Sequence, residues 1–236
     1  TITNNIDLST YGGLVWNKNR SQSASHRLWD TTRGMTYTNA YYLASDLTDA
    51  QSGLSNYLKA NTNGFSWGSA AVGTTVNNSG DNYVSWTFRK QAKFFDVVTW
   101  TGDGTAGRTI SHNLGSVPGC IIVKNTSAVA DWTVYHQSIG NTKYLTLNAT
   151  DAATTGTFWG NTTPTSTGFT VSASGGHQVN WSGETYVAYL FAHNAGGFGL
   201  TGTDNVISCG TFTTNGTGVA TVTLGYEPQW VLMKAT

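Results

Sequence analysis

Apolar and polar residues alternate in short stretches along most of the chain. In "TYVAYLF" (185–191) the odd-numbered residues share one face and the even-numbered residues share the other. A period of two is the pattern of a β-strand. Other strand-length stretches, separated by Gly, Asn, Thr and Ser, are "GCIIVKN", "DWTVYH", "KYLTLN" and "GFTVSAS". The pattern predicts an all-β protein with short antiparallel strands, and "GDG" and "TNG" predict hairpin turns.

A helical pattern occurs in one place, at residues 47–60. There "LTDAQSGLSNYLKA" puts Leu47, Ala50, Leu54 and Leu58 at helical spacing. Gly53 lowers the helix propensity of this stretch, and the matching stretch of the repeat described next has a strand pattern. Both observations count against a helix.

The chain repeats itself with a period of about 100 residues. A shift of 106 residues brings Gly13 onto Gly119 and Lys18 onto Lys124, and a shift of 103 brings "VNNSGDNYVSWTF" onto "VNWSGETYVAYLF". The order of the matches is kept and the shift drifts by only a few residues, so we infer a tandem duplication. The period exceeds the roughly 20–50 residues of solenoid repeats. Each copy is therefore predicted to be a domain.

A third copy begins near the C-terminus, where residues 98–126 match residues 210–236. We predict a first β-sandwich repeat at 1–92 that lacks its opening hairpin, a second at 93–194, and a linker with the opening hairpin of a third at 195–236. The fold class is therefore all-β, with tandem antiparallel β-sandwich repeats of jelly-roll or lectin-like type. We expect either a segment of a longer polypeptide or end strands that pair with something outside the chain.

Composition narrows the possible partners. Charged residues are 10% of the 236 residues, against roughly 25% in an average globular protein. Twelve basic and twelve acidic residues balance, so we expect no nucleic-acid partner. The apolar runs are of strand length, so we expect no membrane partner.

Residues that could carry catalysis or bind metal are sparse and scattered. The five histidines have no helical metal-site spacing, and "HNAGGFGLTG" lacks the residues of a phosphate loop. Asp81 and Glu184 occupy equivalent places in the two repeats, which favours a turn or cap role. Cys120 and Cys209 lie in apolar patterns; a disulfide is possible, but free thiols fit better. We expect no enzyme activity, no metal and no cofactor.

The tryptophans are the remaining candidates for a binding site. Most align with apolar residues of the other repeat, which predicts core positions; Trp16 and Trp86, for example, align with Ile122 and Tyr189. Trp181 aligns with a polar residue, and Trp159 lies in a loop-like stretch with no clear match. These two residues, with Asn161 nearby, are the candidates for a glycan or partner contact.

The chain also resembles a known group of proteins. The stretches that carry the resemblance are "GGLVWNKNRS", "FFDVVTWTGDGTAGRTISHNLGSVPGCIIVKN", "DWTVYH", "ETYVAYLFAHNAGGFG" and "LGYEPQWVLMKAT". They resemble the tandem β-modules of virion proteins of tailed bacteriophages, especially marine and freshwater phages including cyanophages. The resemblance covers nearly the whole chain from about residue 5. One departure is Asn17, where the resemblance leads us to expect an apolar residue.

The resemblance implies a non-enzymatic structural protein of the tail, tail fibre or capsid exterior, and therefore a location on the virion exterior. The expected partners are other virion proteins and further copies of the same chain, with a trimer suggested by analogy to phage fibres. A second hypothesis is a receptor-binding, lectin-like module for host surface glycans. A third is a cell-surface adhesin outside any phage. An enzyme such as a depolymerase would need two carboxylates in one groove, about 5–10 Å apart.

Overall fold

A computed structural model of the chain describes residues 1–71, 74–173 and 176–236. Within these residues the protein is all-β, and every pair of strands is antiparallel. Helical structure is limited to one turn of α-helix, α1 (Leu8–Tyr11), and a 3-10 turn at Ser69–Ala71. The predicted all-β antiparallel class is confirmed.

The first half of the chain forms two sheets. One is five-stranded, in the order β5-β4-β3-β2-β8, and the other is three-stranded, in the order β1-β7-β6. Their strands are β1 (Ile2–Thr3), β2 (Gly13–Asn19), β3 (Arg27–Asp30), β4 (Ala40–Ala44), β5 (Ser52–Leu54), β6 (Leu58–Asn61), β7 (Gly64–Trp67) and β8 (Tyr83–Arg89).

The second half also forms two sheets. One is six-stranded, in the order β14-β13-β12-β11-β16-β9, and the other is the pair β10-β15. Their strands are β9 (Phe95–Thr101), β10 (Arg108–Ser111), β11 (Pro118–Asn125), β12 (Thr133–His136), β13 (Lys143–Thr146), β14 (Thr154–Thr155), β15 (Gly168–Val171) and β16 (Thr185–Ala192).

The two halves have matching strand orders. The order β5-β4-β3-β2-β8 corresponds strand by strand to β14-β13-β12-β11-β16, and the pair β1-β7 corresponds to β10-β15. The six-stranded sheet has one strand more, because β9 pairs with β16 along seven residues, from Thr185 opposite Thr101 to Phe191 opposite Phe95. Among the described residues, the five-stranded sheet ends at β8 instead.

Three hydrophobic clusters separate four layers of sheet. Val15 and Trp29 of the five-stranded sheet share a cluster with Leu58 and Phe65 of the three-stranded sheet. In the second half, Ile121, Val123 and Tyr135 of the six-stranded sheet share a cluster with Ile110 and Phe169 of the small sheet. The third cluster lies between the two large sheets.

This third cluster, which we call the central core, joins equivalent faces of the two halves. Trp16, Leu28 and Leu43 contribute to it from the first half, and their counterparts Ile122, Val134 and Leu145 contribute from the second. Residues on neighbouring strand positions point the other way, as the two-residue period requires. The two halves therefore form one body, in which each buries the same face against the other.

Polar contacts also cross between the halves. The Trp132 indole Nε1 donates to the carbonyl oxygens of Ala44 and Leu47, at 2.9 and 3.1 Å. The Tyr189 hydroxyl donates to Asp30 Oδ2 at 2.9 Å and accepts from Arg33 Nη2 at 3.1 Å. The Asp30 carboxylate is fully buried and already pairs with Arg33 of its own half, so the Tyr189 hydroxyl adds a hydrogen bond to a buried ion pair.

Two local expectations differ from the structure. Residues 47–60, with their partial helical spacing, contain β5 and the first part of β6 and no helix. Asn17 lies on β2 in full register with β8, but its side chain is buried and its Nδ2 has no hydrogen-bond partner among the described residues. This is the position at which the resemblance predicts an apolar residue.

The predicted opening hairpin of a third repeat is not formed. All of residues 205–236 are described, and they form no strand. Its turn does form, because Asn215 N–H donates to Val219 O at 2.8 Å and Gly218 N–H donates to Asn215 O at 2.9 Å. In the second half the matching strands β9 and β10 pair with β16 and β15, and a third copy of those partner strands does not occur within the 236 residues.

Candidate functional site

A polar cluster at one end of the second half supports the loop that carries Trp181. Asn125 donates from Nδ2 to the Glu184 carboxylate, and Tyr186 donates from its hydroxyl to Glu184 Oε2 at 3.1 Å. The Asn125 Oδ1 accepts the backbone N–H groups of Ser127 and Ala128, each at 2.9 Å. Asn125 is fully buried, and these bonds satisfy its side chain.

The first half contains the same cluster at the equivalent place. Asn19 donates from Nδ2 to Asp81 Oδ2 at 2.9 Å and to the Tyr83 hydroxyl at 3.2 Å. Its Oδ1 accepts the N–H groups of Ser21 and Gln22. The pairing of Asp81 with Glu184 across the repeat therefore has a structural basis: both carboxylates hold an asparagine that fixes the turn after β2 or β11.

Trp181 is placed on this scaffold with its ring partly in solvent. Its side chain is 46% exposed, and its ring lies 5.2 Å from the ring of His177 at an angle of 44°. Its backbone N–H donates to the Tyr186 hydroxyl at 2.8 Å. In the first half, Asn78 makes the same backbone bond to Tyr83. The ring of Trp181 is therefore an addition to a turn that both halves share.

The backbone of the Trp181 loop is held from the other side by the β9–β10 connection. Asn180 is fully buried, and its Nδ2 donates to Asp103 Oδ1 and Thr105 O, both at 2.9 Å. The Thr105 backbone N–H and the Asn180 side chain lower the pKa of Asp103 to about 2, so this carboxylate is charged at neutral pH. Gly102 passes so close that a Cβ there would lie 2.0 Å from the Trp181 carbonyl oxygen.

Trp181 and two neighbouring side chains form an aromatic and polar patch, which we call the Trp181 patch (His177, Trp181, Glu184). His177 Nδ1 contacts the Glu184 carboxylate, and the His177 side chain is half exposed. The exposed indole ring can stack on the apolar face of a sugar, and the half-exposed His177 ring lies beside it. The patch is therefore suited to binding.

The structure buries one of the three predicted site residues and exposes the other two. Trp159 is 1% exposed, donates from Nε1 to Lys143 O at 3.1 Å and packs edge-on against Tyr135. Its ring is part of the core and has no free face for a ligand, which corrects its interpretation as a contact residue. Asn161 is exposed in the left-handed region, at φ 50°. It follows Gly160, which lies against Ser172 and Gly107.

An aromatic cavity that the sequence does not predict lies beside the central core. Trp16, Trp86 and Trp230, with His26, line a cavity of about 330 Å³. Trp16 donates from Nε1 to His26 Nδ1 at 2.9 Å, and Trp230 packs against Trp16 with ring centroids 5.9 Å apart. Alignment to apolar positions predicts a core role for all three tryptophans, and no signal in the sequence indicates that their rings leave a gap.

Two other kinds of site are absent from residues 1–71, 74–173 and 176–236. No group of three His, Cys, Asp or Glu side chains there could hold a metal ion. No helix in the same part of the chain is long and apolar enough to cross a membrane. Cys120 and Cys209 are free thiols, and burial raises the pKa of both.

Comparison with known proteins gives one match. A family model described as "Domain of unknown function (DUF7483)" matches residues 3–236. No curated protein and no solved structure matches the chain.

Proposed function

We propose that the chain, which belongs to the DUF7483 family, is a non-enzymatic structural protein of a tailed-bacteriophage virion. It forms part of the tail, tail fibre or exterior decoration, and its place is the virion exterior. The phage assignment rests on the resemblance given above. The structural role rests on the packing and on the surface of the protein.

The observation that carries the structural role is the concentration of exposed apolar side chains in the C-terminal segment, residues 205–236. Among the described residues, fourteen large hydrophobic side chains are exposed, and seven of them lie in this segment. They are Val206, Phe212, Val219, Val222, Val231, Leu232 and Met233. Such a run is typical of a surface that another protein covers. An assembly module needs a surface of this kind.

We further propose that the chain divides into residues 1–92, 93–194 and 195–236, approximately. Each of the first two ranges is a β-sandwich of jelly-roll or lectin-like type. The matching strand orders and the two outer clusters, each between a large and a small sheet, support this division. Tandem modules that bury equivalent faces suit a rod or shell of repeated elements. The proposed partners are other virion proteins and further copies of the chain, with a trimer as the starting hypothesis.

Electron microscopy of the intact assembly that carries this chain tests the proposal. We expect two-module bodies in a repeated arrangement on a tail or capsid, with residues 205–236 covered by a neighbour. Two results contradict the structural role: purified virions that do not contain the chain, and an assembly in which residues 205–236 of every copy face solvent.

A second candidate function is binding of a host surface glycan, which the exposed ring of Trp181 favours. The patch has an aromatic face, a half-exposed histidine and a carboxylate. Stacking of a sugar on the Trp181 indole should quench or shift its fluorescence. Titration with host-surface polysaccharide should give a saturable signal that Trp181→Ala removes. Tyr11→Ala, at a site that is also exposed, is the matched control and should leave the signal unchanged.

A further inference from the structure

Among the described residues, no strand pairs with the outer edge of β8, whereas the equivalent edge of β16 pairs with β9. In the second half β16 lies between β11 and β9, and all of its residues after Thr185 are buried. In the first half β8 pairs with β2 alone among the described residues, and only Phe88 of its seven residues is buried. An unpaired edge is a template for an additional strand.

The hydrogen-bond pattern identifies which backbone groups of β8 point outward. Arg20 N–H donates to Asn82 O and Lys90 N–H donates to Gly12 O, at 2.8 and 2.9 Å. The two bonds lie just beyond the two ends of β8, and each joins even-numbered residues. Because bonded pairs recur at every second residue of an antiparallel ladder, the even-numbered residues of β8 bond to β2. The backbone N–H and C=O groups of Tyr83, Ser85 and Thr87 therefore face away from the sheet.

The chain carries a second copy of the strand that would cover this edge. After β8, Gln91 N–H donates to Phe95 O at 2.9 Å, and after β16, Asn194 N–H donates to Ile207 O at 3.0 Å. Gln91 and Asn194 are equivalent residues, although the connection after Asn194 is longer. Their matching bonds place Ile207 at the position of Phe95 and Phe212 at the position of Trp100. Residues 207–213 are thus the counterpart of β9, and they form no strand with their own chain.

We propose that residues 207–213 of one copy add to the β8 edge of a second copy as an antiparallel strand. This inference rests on the proposed assembly function and names its partner. The donor segment and the acceptor edge are different surfaces, so the contact is heterologous and links copies head to tail. Backbone hydrogen bonds supply the attraction, and the side chains set the register.

The register follows from β9 and β16. Tyr186 opposes Trp100 in that pair, and their rings stack with centroids 5.3 Å apart. By equivalence Tyr83 of one copy opposes Phe212 of the other. Phe212 is 50% exposed in the single chain and would gain a stacking partner. Its neighbours Ser208 and Cys209 must leave their present contacts, among them the bond from Cys209 N–H to His193 Nδ1 at 2.9 Å.

Two proline variants test the contact on the full 236-residue chain. Gly102 N–H donates to Glu184 O at 2.7 Å where β9 ends, so the N–H groups of Val98 and Trp100 also point at β16, and that of Thr99 points away. By equivalence Gly210 N–H points at β8 in the proposed contact and Thr211 N–H points away. Gly210→Pro removes a bonding group, while Thr211→Pro removes one that faces outward, where a strand tolerates proline.

The assay is sedimentation velocity over a range of concentrations. We expect the wild-type chain to form dimers and larger linear species as concentration rises, and Thr211→Pro to do the same. Gly210→Pro should remain a monomer up to concentrations at least about tenfold higher than those at which the wild type associates. A tenfold shift corresponds to about 1.4 kcal/mol of association free energy. Circular dichroism of the three proteins should be the same, because residues 205–236 form no strand in the single chain.

Each other outcome overturns the proposal. A wild-type chain that stays monomeric at all concentrations shows that the edge is filled by its own chain or by a different protein. Oligomers that Gly210→Pro does not weaken show that copies assemble through another surface. This second result contradicts strand addition but is compatible with the proposed assembly function. Absence of the chain from virions contradicts the proposed virion function, and the sedimentation assay still tests strand addition.

Discussion

Tyr189 links the two halves of the protein through its hydroxyl, and its removal gives a measurable test of that link. Tyr189→Phe deletes a group that donates to Asp30 Oδ2 at 2.9 Å and accepts from Arg33 Nη2 at 3.1 Å. Asp30 lies 159 residues away in the chain. The ring still fills the central core, so the change isolates the polar contact from the hydrophobic one.

The size of the effect follows from burial and charge. A hydrogen bond to a charged group contributes about 1.5–3 kcal/mol to stability. Asp30 is fully buried but keeps two bonds from Arg33, one from Nε at 2.5 Å and one from the backbone N–H at 2.8 Å. It is not left unpaired, so we expect a loss of about 2 kcal/mol in the free energy of unfolding. For a chain of this length that lowers Tm by about 4–8 °C.

Thermal unfolding and hydrogen exchange measure the two parts of this prediction. Backbone amides of β3, which carries Asp30, should exchange faster in Tyr189→Phe. Tyr186→Phe is the matched control. It removes a hydroxyl group from the same strand, but this group bonds to Glu184 and Trp181, which both lie in the second half. The control should leave β3 exchange unchanged. A loss below about 0.5 kcal/mol, as for an ordinary surface substitution, or unchanged β3 exchange in Tyr189→Phe, refutes the link.

Three further predictions concern a buried lysine, a close glycine and two tryptophans. Burial lowers the pKa of Lys124 from 10.5 to about 8 despite nearby Asp49 and Asp131. The unfolded chain therefore binds more protons than the folded one between these pH values, and the urea-unfolding stability of the wild type should rise with pH there relative to Lys124→Met. Gly102→Ala should cost more than about 2 kcal/mol, because its Cβ would meet a backbone oxygen at 2.0 Å; Gly216→Ala, in open space, is the control. Trp159→Ala should lower stability by about 3–5 kcal/mol and Trp181→Ala by less than about 1 kcal/mol, by calorimetry; equal losses contradict the assigned burial.

Strand alternation and the internal repeat together predict much of the fold. The alternation in "TYVAYLF" predicts β16, and its match to "NYVSWTF" predicts that β8 occupies the same place in the other half. The repeat also sorts the tryptophans well: Trp29, which aligns with Tyr135, is fully buried, and Trp181, which aligns with a polar residue, is exposed. Matching positions in two copies carry information that one copy lacks.

The packing of the halves and the position of Trp159 could not be predicted in this way. Both faces of β11 are apolar, and a continuous apolar strand does not say which other sheet covers each face. Trp159 has no counterpart in the first half, so the repeat does not predict whether its side chain is buried. Its burial depends on Tyr135 and Lys143, which are distant in sequence and come close only in the folded sheet.

Joining the two halves in one chain has a consequence for how their shared face can change. In a symmetric dimer of separate subunits, one substitution enters the interface twice, so a gain on one side must be tolerated on the other. Here each side is encoded separately. Tyr189 donates a hydrogen bond to Asp30, while its counterpart Trp86 borders a cavity instead. The duplicated chain can thus specialise one side of a common contact and leave the other open, a freedom that two identical subunits do not have.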